Sequence, residues 1–228
     1  MNYDSVPLRD FKELNDWETV IFVYQSALKQ VETKIDILNG EFQHRHKYNP
    51  IEHVKSRIKT PESIVKKLKR HGYESSIENM VRYVNDIAGI RISCSFTSDI
   101  YLIADMISKQ NDLTILARRD YMKNPKKSGY RSYHMLVTTP VFLSDSIIDT
   151  KVEIQIRTVA QDFWATLEHK MHYKFEGDGP DYITKELREC ARYVAELDTR
   201  MEELNNEIQK YGKLSEKKKK IPKKQNEK

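Results

Sequence analysis

Apolar residues change their spacing twice along this chain, and that double switch restricts the fold more than any other feature. Trp17, Ile21, Tyr24, Leu28, Val31, Ile35 and Leu38 alternate steps of four and three, as do Ile183, Leu187, Cys190, Val194, Leu197, Met201, Leu204, Ile208 and Tyr211 near the other end. Such steps line residues along one side of an α-helix. Between these stripes the step falls to two. Ile90, Ile92, Cys94 and Phe96 alternate with Arg91, Ser93 and Ser95, and Val152, Ile154 and Ile156 alternate with Glu153, Gln155 and Arg157. That is the pattern of a half-buried strand. The order predicts an α+β chain with a mixed β-sheet core and flanking N- and C-terminal helices, without internal repeats.

Local signals sharpen the outline. Asn15 or Asp16 is a plausible cap for the first helix and Gly40 its expected end. Thr60, Pro61 and Gly72 bracket a short helix, and Ser98 or Asp99 would cap "SDIYLIADMISKQ". "LTILARRDY" and "SYHMLVTTP" are further strand candidates, and the turn "EGDGPD" precedes the last helix. "FWATLEHKMHY" fits an amphipathic helix with Phe163, Leu167 and Met171 toward the core and Glu168 and His169 toward a ligand. Four segments are expected: a helical extension over 1–53, a core over 54–175, a helix over 176–212 and a disordered basic tail over 213–228. The two helical stripes would pack on the core and also build an oligomer.

The formal charge of +5 over 228 residues averages two unlike parts. Lys213 to Lys228 holds eight lysines and two glutamates, which leaves a net −1 on the remainder. Attraction to RNA phosphates is therefore a property of the tail, whose alternative is a plain solvated end. Two cysteines, Cys94 and Cys190, both at apolar positions, predict buried free thiols rather than a disulfide framework. No apolar run is long enough to cross a bilayer, and the start "MNYDSVPLRDF" is unlike a secretory signal, so no membrane partner and a cytoplasmic location are expected.

Three stretches carry possible chemistry. Period-two alternation puts Glu153, Gln155 and Arg157 on one strand's polar face and Arg91 on another's, with Asp86 just ahead in "NDIAG". A solvated outer face would account for either strand alone. Two carboxylates on adjacent strands can also hold Mg²⁺, which keeps its remaining positions for water and phosphate. In "RIKTPESIVKKLKRHG", Arg57 and Lys59 approach a helix N-terminus and Ser63, Lys67 and Arg70 share one helical face. That arrangement suits a polyphosphate, or lysines facing water. In "KKSGYRSYH", Lys126 and Lys127 offer charge, Gly129 lets backbone approach a ligand, Tyr130 offers a ring for a base, and His134 follows. No GxxxxGK[ST] loop and no CxxC pair occurs, and His44, His46 and His53 fit a solvated loop better than a metal site.

"RIKTPES", "NDIAGIRI", "KKSGYRSYH", "VEIQIRT" and "FWATLEHK", in this order, resemble the synthetase domain of the RelA/SpoT family. "NPIEHVKSRIK" and "CSFTSDIY" bring the chain nearest the small alarmone synthetases of the RelP type. The resemblance implies a nucleotidyltransferase-like core that transfers pyrophosphate from ATP to the 3′-hydroxyl of GDP or GTP, giving ppGpp or pppGpp, in a homotetramer without a hydrolase half. It implies that Arg57, Lys59, Ser63, Lys67, Arg70 and Arg91 bind ATP, and that Asp86 and Glu153 hold Mg²⁺. Glu153 would also accept the hydroxyl proton. Arg119, Lys126, Tyr130, His134, Gln155 and Glu168 would hold the guanine nucleotide, with Tyr130 stacking on the base. The alternative is a catalytically silent regulator that binds nucleotide or RNA.

Overall fold

A computed structural model of the chain describes residues 16–46, 48–174 and 180–219, with side chains described outside 172–174 and 212–219. Helix α1 (Trp17–His46) is capped by Asp16, whose carboxylate accepts from the Thr19 backbone N–H and hydroxyl, both at 2.7 Å. It does not stop at Gly40, as the sequence led us to expect. Among the described residues only Gly72 and Gly129 have positive φ, so Gly40 stays helical, and an Arg45–Glu41 ion pair lies beyond it. An interior glycine costs about 1 kcal/mol against alanine. Each large buried side chain on this helix returns about 1.5–3 kcal/mol. Val20, Val23, Tyr24, Leu28, Val31 and Ile35 are all buried against the sheet, so burial decides the helix's length.

Strand β1 (Ile51–Ile58) opens the sheet and is followed by α2 (Pro61–Arg70), capped by Thr60 as the sequence indicates. Helix α3 (Ile77–Tyr83), capped by Ser76, leads into β2 (Ala88–Cys94). Helix α4 (Thr97–Ser108) begins two or three residues earlier than expected. Phe96 occupies the cap position, and Asp99 accepts from its N–H at 3.1 Å. Strands β3 (Thr114–Asp120), β4 (Tyr133–Phe142) and β5 (Ile147–Thr158) complete a mixed sheet of order β1-β2-β5-β4-β3, in which only β2 and β5 run parallel. This is the predicted α+β class.

The helical stretch expected as an N-terminal extension is part of the core, because α1 lies across β1, β2, β4 and β5. The boundary drawn at residue 53 falls inside β1.

The last two helices differ most from expectation. In α5 (Val159–Lys174), Phe163 and Leu167 are exposed while Trp164 and Ala165 are buried. The face is turned because α5 packs on α6 (Asp181–Lys219), where the Trp164 indole donates to the Leu187 carbonyl at 2.9 Å. Along α6, Ala191 is buried and Cys190 is exposed, so of the two thiols only Cys94 is buried. Leu197, Met201, Leu204, Ile208 and Tyr211 lie on the surface of the single chain. Helix α6 continues past Gly212, where the sequence placed the start of the tail, and most of "EGDGPD" and residues 220–228 lie outside the described residues.

Candidate active site

Sheet register turns the polar alternation into a platform. Residues directly opposite in neighbouring strands share a face. One row across all five strands reads Arg57, Gly89, Glu153, Leu136, Ala117, and the next reads Lys55, Arg91, Gln155, His134, Arg119. Six of the residues singled out in the sequence (Arg57, Arg91, Arg119, His134, Glu153 and Gln155) thus stand side by side, although they come from β1, β2, β3, β4 and β5.

Two clefts open on this platform. The first, about 230 Å³, is lined by Lys55, Arg57, Gly89, Arg91 and Gln155, and the second, about 150 Å³, by Lys67, Asn85, Arg119, His134 and Leu136. Asp86 and Glu153 line both. The shared wall is therefore acidic, while the outer walls are basic.

Asp86 sits in the turn between α3 and β2, half-buried, with Lys59 Nζ and Lys67 Nζ each 2.7 Å from one of its oxygens. Burial pushes its carboxyl up, but the two ammonium groups outweigh this and hold it at about 2. Glu153 is also held below the ordinary carboxylate range. Burial and the nearby Asp86 oppose its ionisation, and His134 and Gln155 favour it more strongly. Gln155 Nε2 donates to Glu153 Oε2 at 2.8 Å, and His134 Nδ1 lies 3.6 Å from Glu153 Oε1. Both carboxylates are thus anionic at neutral pH.

The ring of Tyr130 is linked to this centre through His134, whose Nε2 is 2.9 Å from the Tyr130 hydroxyl. Lys126 Nζ lies 4.8 Å from the Tyr130 ring centroid and the Arg157 guanidinium 5.6 Å from it. Gly129 does not serve ligand approach, as the sequence suggested; it has φ +92°, and a Cβ there would stand 2.5 Å from the Ala191 Cβ of α6. Gly129→Ala is expected to destabilise the fold by about 1–3 kcal/mol through overpacking and backbone strain. Urea denaturation checks this, and a second change, Ala191→Gly, should recover part of the loss.

Six expected residues line neither cleft. Lys59 reaches the shared wall only through its bond to Asp86, Tyr130 stands beside His134, and Lys126 lies over the Tyr130 ring. Ser63 and Arg70 are on the exposed side of α2, the Ser63 hydroxyl bonding Thr60 at 3.0 Å, and Glu168 is on α5. Other residues belong here that the sequence reading passed over as site residues. Lys55 and Asn85 line the clefts, and Arg157, only 2% exposed, donates to Gln155 Oε1 at 3.0 Å. Arg157 was legible as a member of the polar alternation; for Asn85 the only signal was its place beside Asp86.

A family profile described as "Region found in RelA / SpoT proteins" matches residues 56–178, which hold four of the five strands and most of both clefts' lining. The chain belongs to the RelA/SpoT family. Among its relatives, the GTP pyrophosphokinase YwaC of Bacillus subtilis is 45% identical over 195 residues, covering 86% of this chain and 93% of that protein. The crystal structure of small alarmone synthetase 2 from Bacillus subtilis superposes with a TM-score of 0.77 at 44% identity, covering 84% of this chain and 99% of that one. That of small alarmone synthetase 1 from the same organism, bound to its product pppGpp, gives 0.79 at 34% identity over 85% and 98% of the two chains. These RelA/SpoT relatives share the α+β architecture of mixed sheet and flanking helices.

The donor chemistry of the acidic wall fits a hard divalent cation. Asp86 and Glu153 offer oxygens only, and among the described residues no three His, Cys, Asp or Glu are grouped so as to hold a metal ion, the nearby His134 lying between Glu153 and the Tyr130 hydroxyl. Such a set leaves most coordination positions to water and phosphate, which suits Mg²⁺ better than a transition metal.

Proposed function

We propose that this chain is an ATP-dependent GTP/GDP pyrophosphokinase, a (p)ppGpp synthetase. The observation that carries the reading is the shared wall: two basic clefts meet at Asp86 and Glu153, so two nucleotides bound in them would meet at two carboxylates. The 3′-oxygen of GDP or GTP bonds to the β-phosphorus of ATP, the bond from that phosphorus to the α-phosphate bridge oxygen breaks, and AMP leaves. The proton of the hydroxyl passes to Glu153.

The first cleft is the ATP site. Arg57 and Arg91 line it, and Lys59 and Lys67, the latter from the side of the second cleft, meet it at the shared acidic wall, ready to turn from Asp86 to phosphate oxygens. Ser63 and Arg70 on α2 would reach ATP only from outside the cleft. The second cleft, with Arg119 and His134, takes the guanine nucleotide, next to Tyr130 and Lys126, and Glu168 on α5 completes the set that the family resemblance implies. Gln155 lines the first cleft and touches Glu153, so it orients the base as well as contacting substrate. Mg²⁺ on Asp86 and Glu153 supplies charge neutralisation for the transferring phosphates.

The exposed apolar stripe from Leu197 to Tyr211 supports subunit contacts in a homotetramer, and the lysines after Gly212 support weak RNA binding. No helix among the described residues is long and apolar enough to cross a membrane, and a buried free thiol at Cys94 fits the cytoplasm. The segmentation into core, C-terminal helix and basic tail follows these roles. A silent regulator is the weaker reading, because crowding two carboxylates beside phosphates hinders binding unless a metal joins them.

Incubation of the purified protein with ATP, GDP and Mg²⁺ should yield AMP and guanosine tetraphosphate in equal amounts; binding of both nucleotides without AMP would overturn the reading. Tyr130→Ala should raise KM for GDP by about 5- to 150-fold, the equivalent of about 1–3 kcal/mol of lost stacking, with KM for ATP nearly unchanged. Steady-state kinetics with each substrate varied in turn checks it.

A further inference from the structure

Lys151 lies on β5, two residues before Glu153, and is 2% exposed. It is an ammonium taken out of water without a carboxylate. Its Nζ donates to the Arg82 carbonyl at 3.2 Å and to Asn85 Oδ1 at 2.9 Å. A buried cation is costly unless fully used. Arg82 lies in the last turn of α3, where unpaired carbonyls favour a cation, and Asn85 immediately precedes Asp86. The stretch from Arg82 to Asp86 is thus gripped from two sides, by Lys151 from β5 and by Lys59 and Lys67 from the end of β1 and α2.

These grips differ in permanence. Lys59 and Lys67 are half-buried at the cleft edge and pair with the very oxygens a divalent cation would use. An arriving cation repels them, and an arriving triphosphate attracts them. Lys151 touches neither carboxylate and is buried on the same face of the central strand β5 as Glu153, so it stays in place.

We propose that Lys151 is a positioning residue that fixes the Arg82–Asp86 turn, so that Asp86 keeps its aim at the metal once Lys59 and Lys67 have let go of it. This rests on the pyrophosphokinase reading and adds a residue to it. Methionine at 151 keeps the length of the apolar stem, so Lys151→Met should melt within about 3 °C of the parent.

The test is Mn²⁺ titration followed by electron paramagnetic resonance, with the protein saturated by a non-hydrolysable ATP analogue. Lys151→Met should need about tenfold more Mn²⁺ for half-saturation, and Asn85→Ala a smaller increase in the same direction. In turnover, kcat at fixed Mg²⁺ should fall while KM for both nucleotides stays within about twofold, and added Mg²⁺ should restore part of kcat. Parental Mn²⁺ affinity in Lys151→Met would overturn the proposal, as would an equal loss of nucleotide and metal binding. If Lys151→Met does not fold, Asn85→Ala decides: parental Mn²⁺ affinity there is fatal. Failure of the parent itself to form tetraphosphate would instead refute the pyrophosphokinase reading, which the same assay tests separately.

Discussion

Glu153→Gln is expected to lower kcat by about 10²–10⁴-fold, the range over which a positioned general base contributes. The change is isosteric: the new amide oxygen can still accept from Gln155, and its NH₂ group can face His134, so the platform is kept. KM for ATP and GDP should move by no more than about threefold, since the two clefts draw most of their lining from other residues. Glu153 is held anionic in the folded protein, which makes it available at neutral pH but only weakly basic. A loose phosphoryl-transfer transition state asks little of a base until late, so weak basicity is compatible with the role. Parental turnover by Glu153→Gln, measured as AMP release, would eliminate it as proton acceptor and metal ligand alike.

Asp86→Asn should cost about 10²–10³-fold in kcat, because a neutral amide is a poor partner for a divalent cation. It has a second, independent signature in the protein without ligands. With its carboxyl held at about 2 against an ordinary 3.8, Asp86 contributes on the order of 2 kcal/mol to stability. The sign follows from the direction. A depressed acid contributes fully above the unfolded value and loses its contribution as pH falls through the folded one. Parent and Asp86→Asn should therefore differ most in urea stability near neutral pH, and the gap should narrow from about pH 4 downward and close below about pH 2. A gap that does not shrink in acid would mean that Lys59 and Lys67 do not hold the carboxylate.

What the residue order revealed, and what it hid, follows from the range of the forces concerned. Alternation is local, so the shared polar face of Arg91, Glu153 and Gln155 was legible, as was the Thr60 cap of α2. Helical spacing shows that a face exists but not which neighbour will cover it. Phe163 and Leu167 match the pattern of a core face, yet α6 takes Trp164 and Ala165 instead. Gly40 resembles a helix end until the burial of α1 against the sheet is counted. Gly129 resembles a ligand-approach glycine because nothing local announces Ala191, 62 residues away in the sequence. Lys151 was invisible for the same reason: its partners Arg82 and Asn85 come from a helix that the spacing did not predict and from the turn that follows it.

The polar platform owes its composition to pairing between strands, and this dictates where such a gene can tolerate insertions and deletions. Adding or losing one residue within β2, β4 or β5 would swing every side chain beyond it to the opposite surface, moving Glu153 or His134 under the sheet and bringing up Val152 or Ile154, or Tyr133 or Met135, in its place. Length changes should be tolerated best in connections such as the Leu143–Ser146 hairpin, which lines neither cleft.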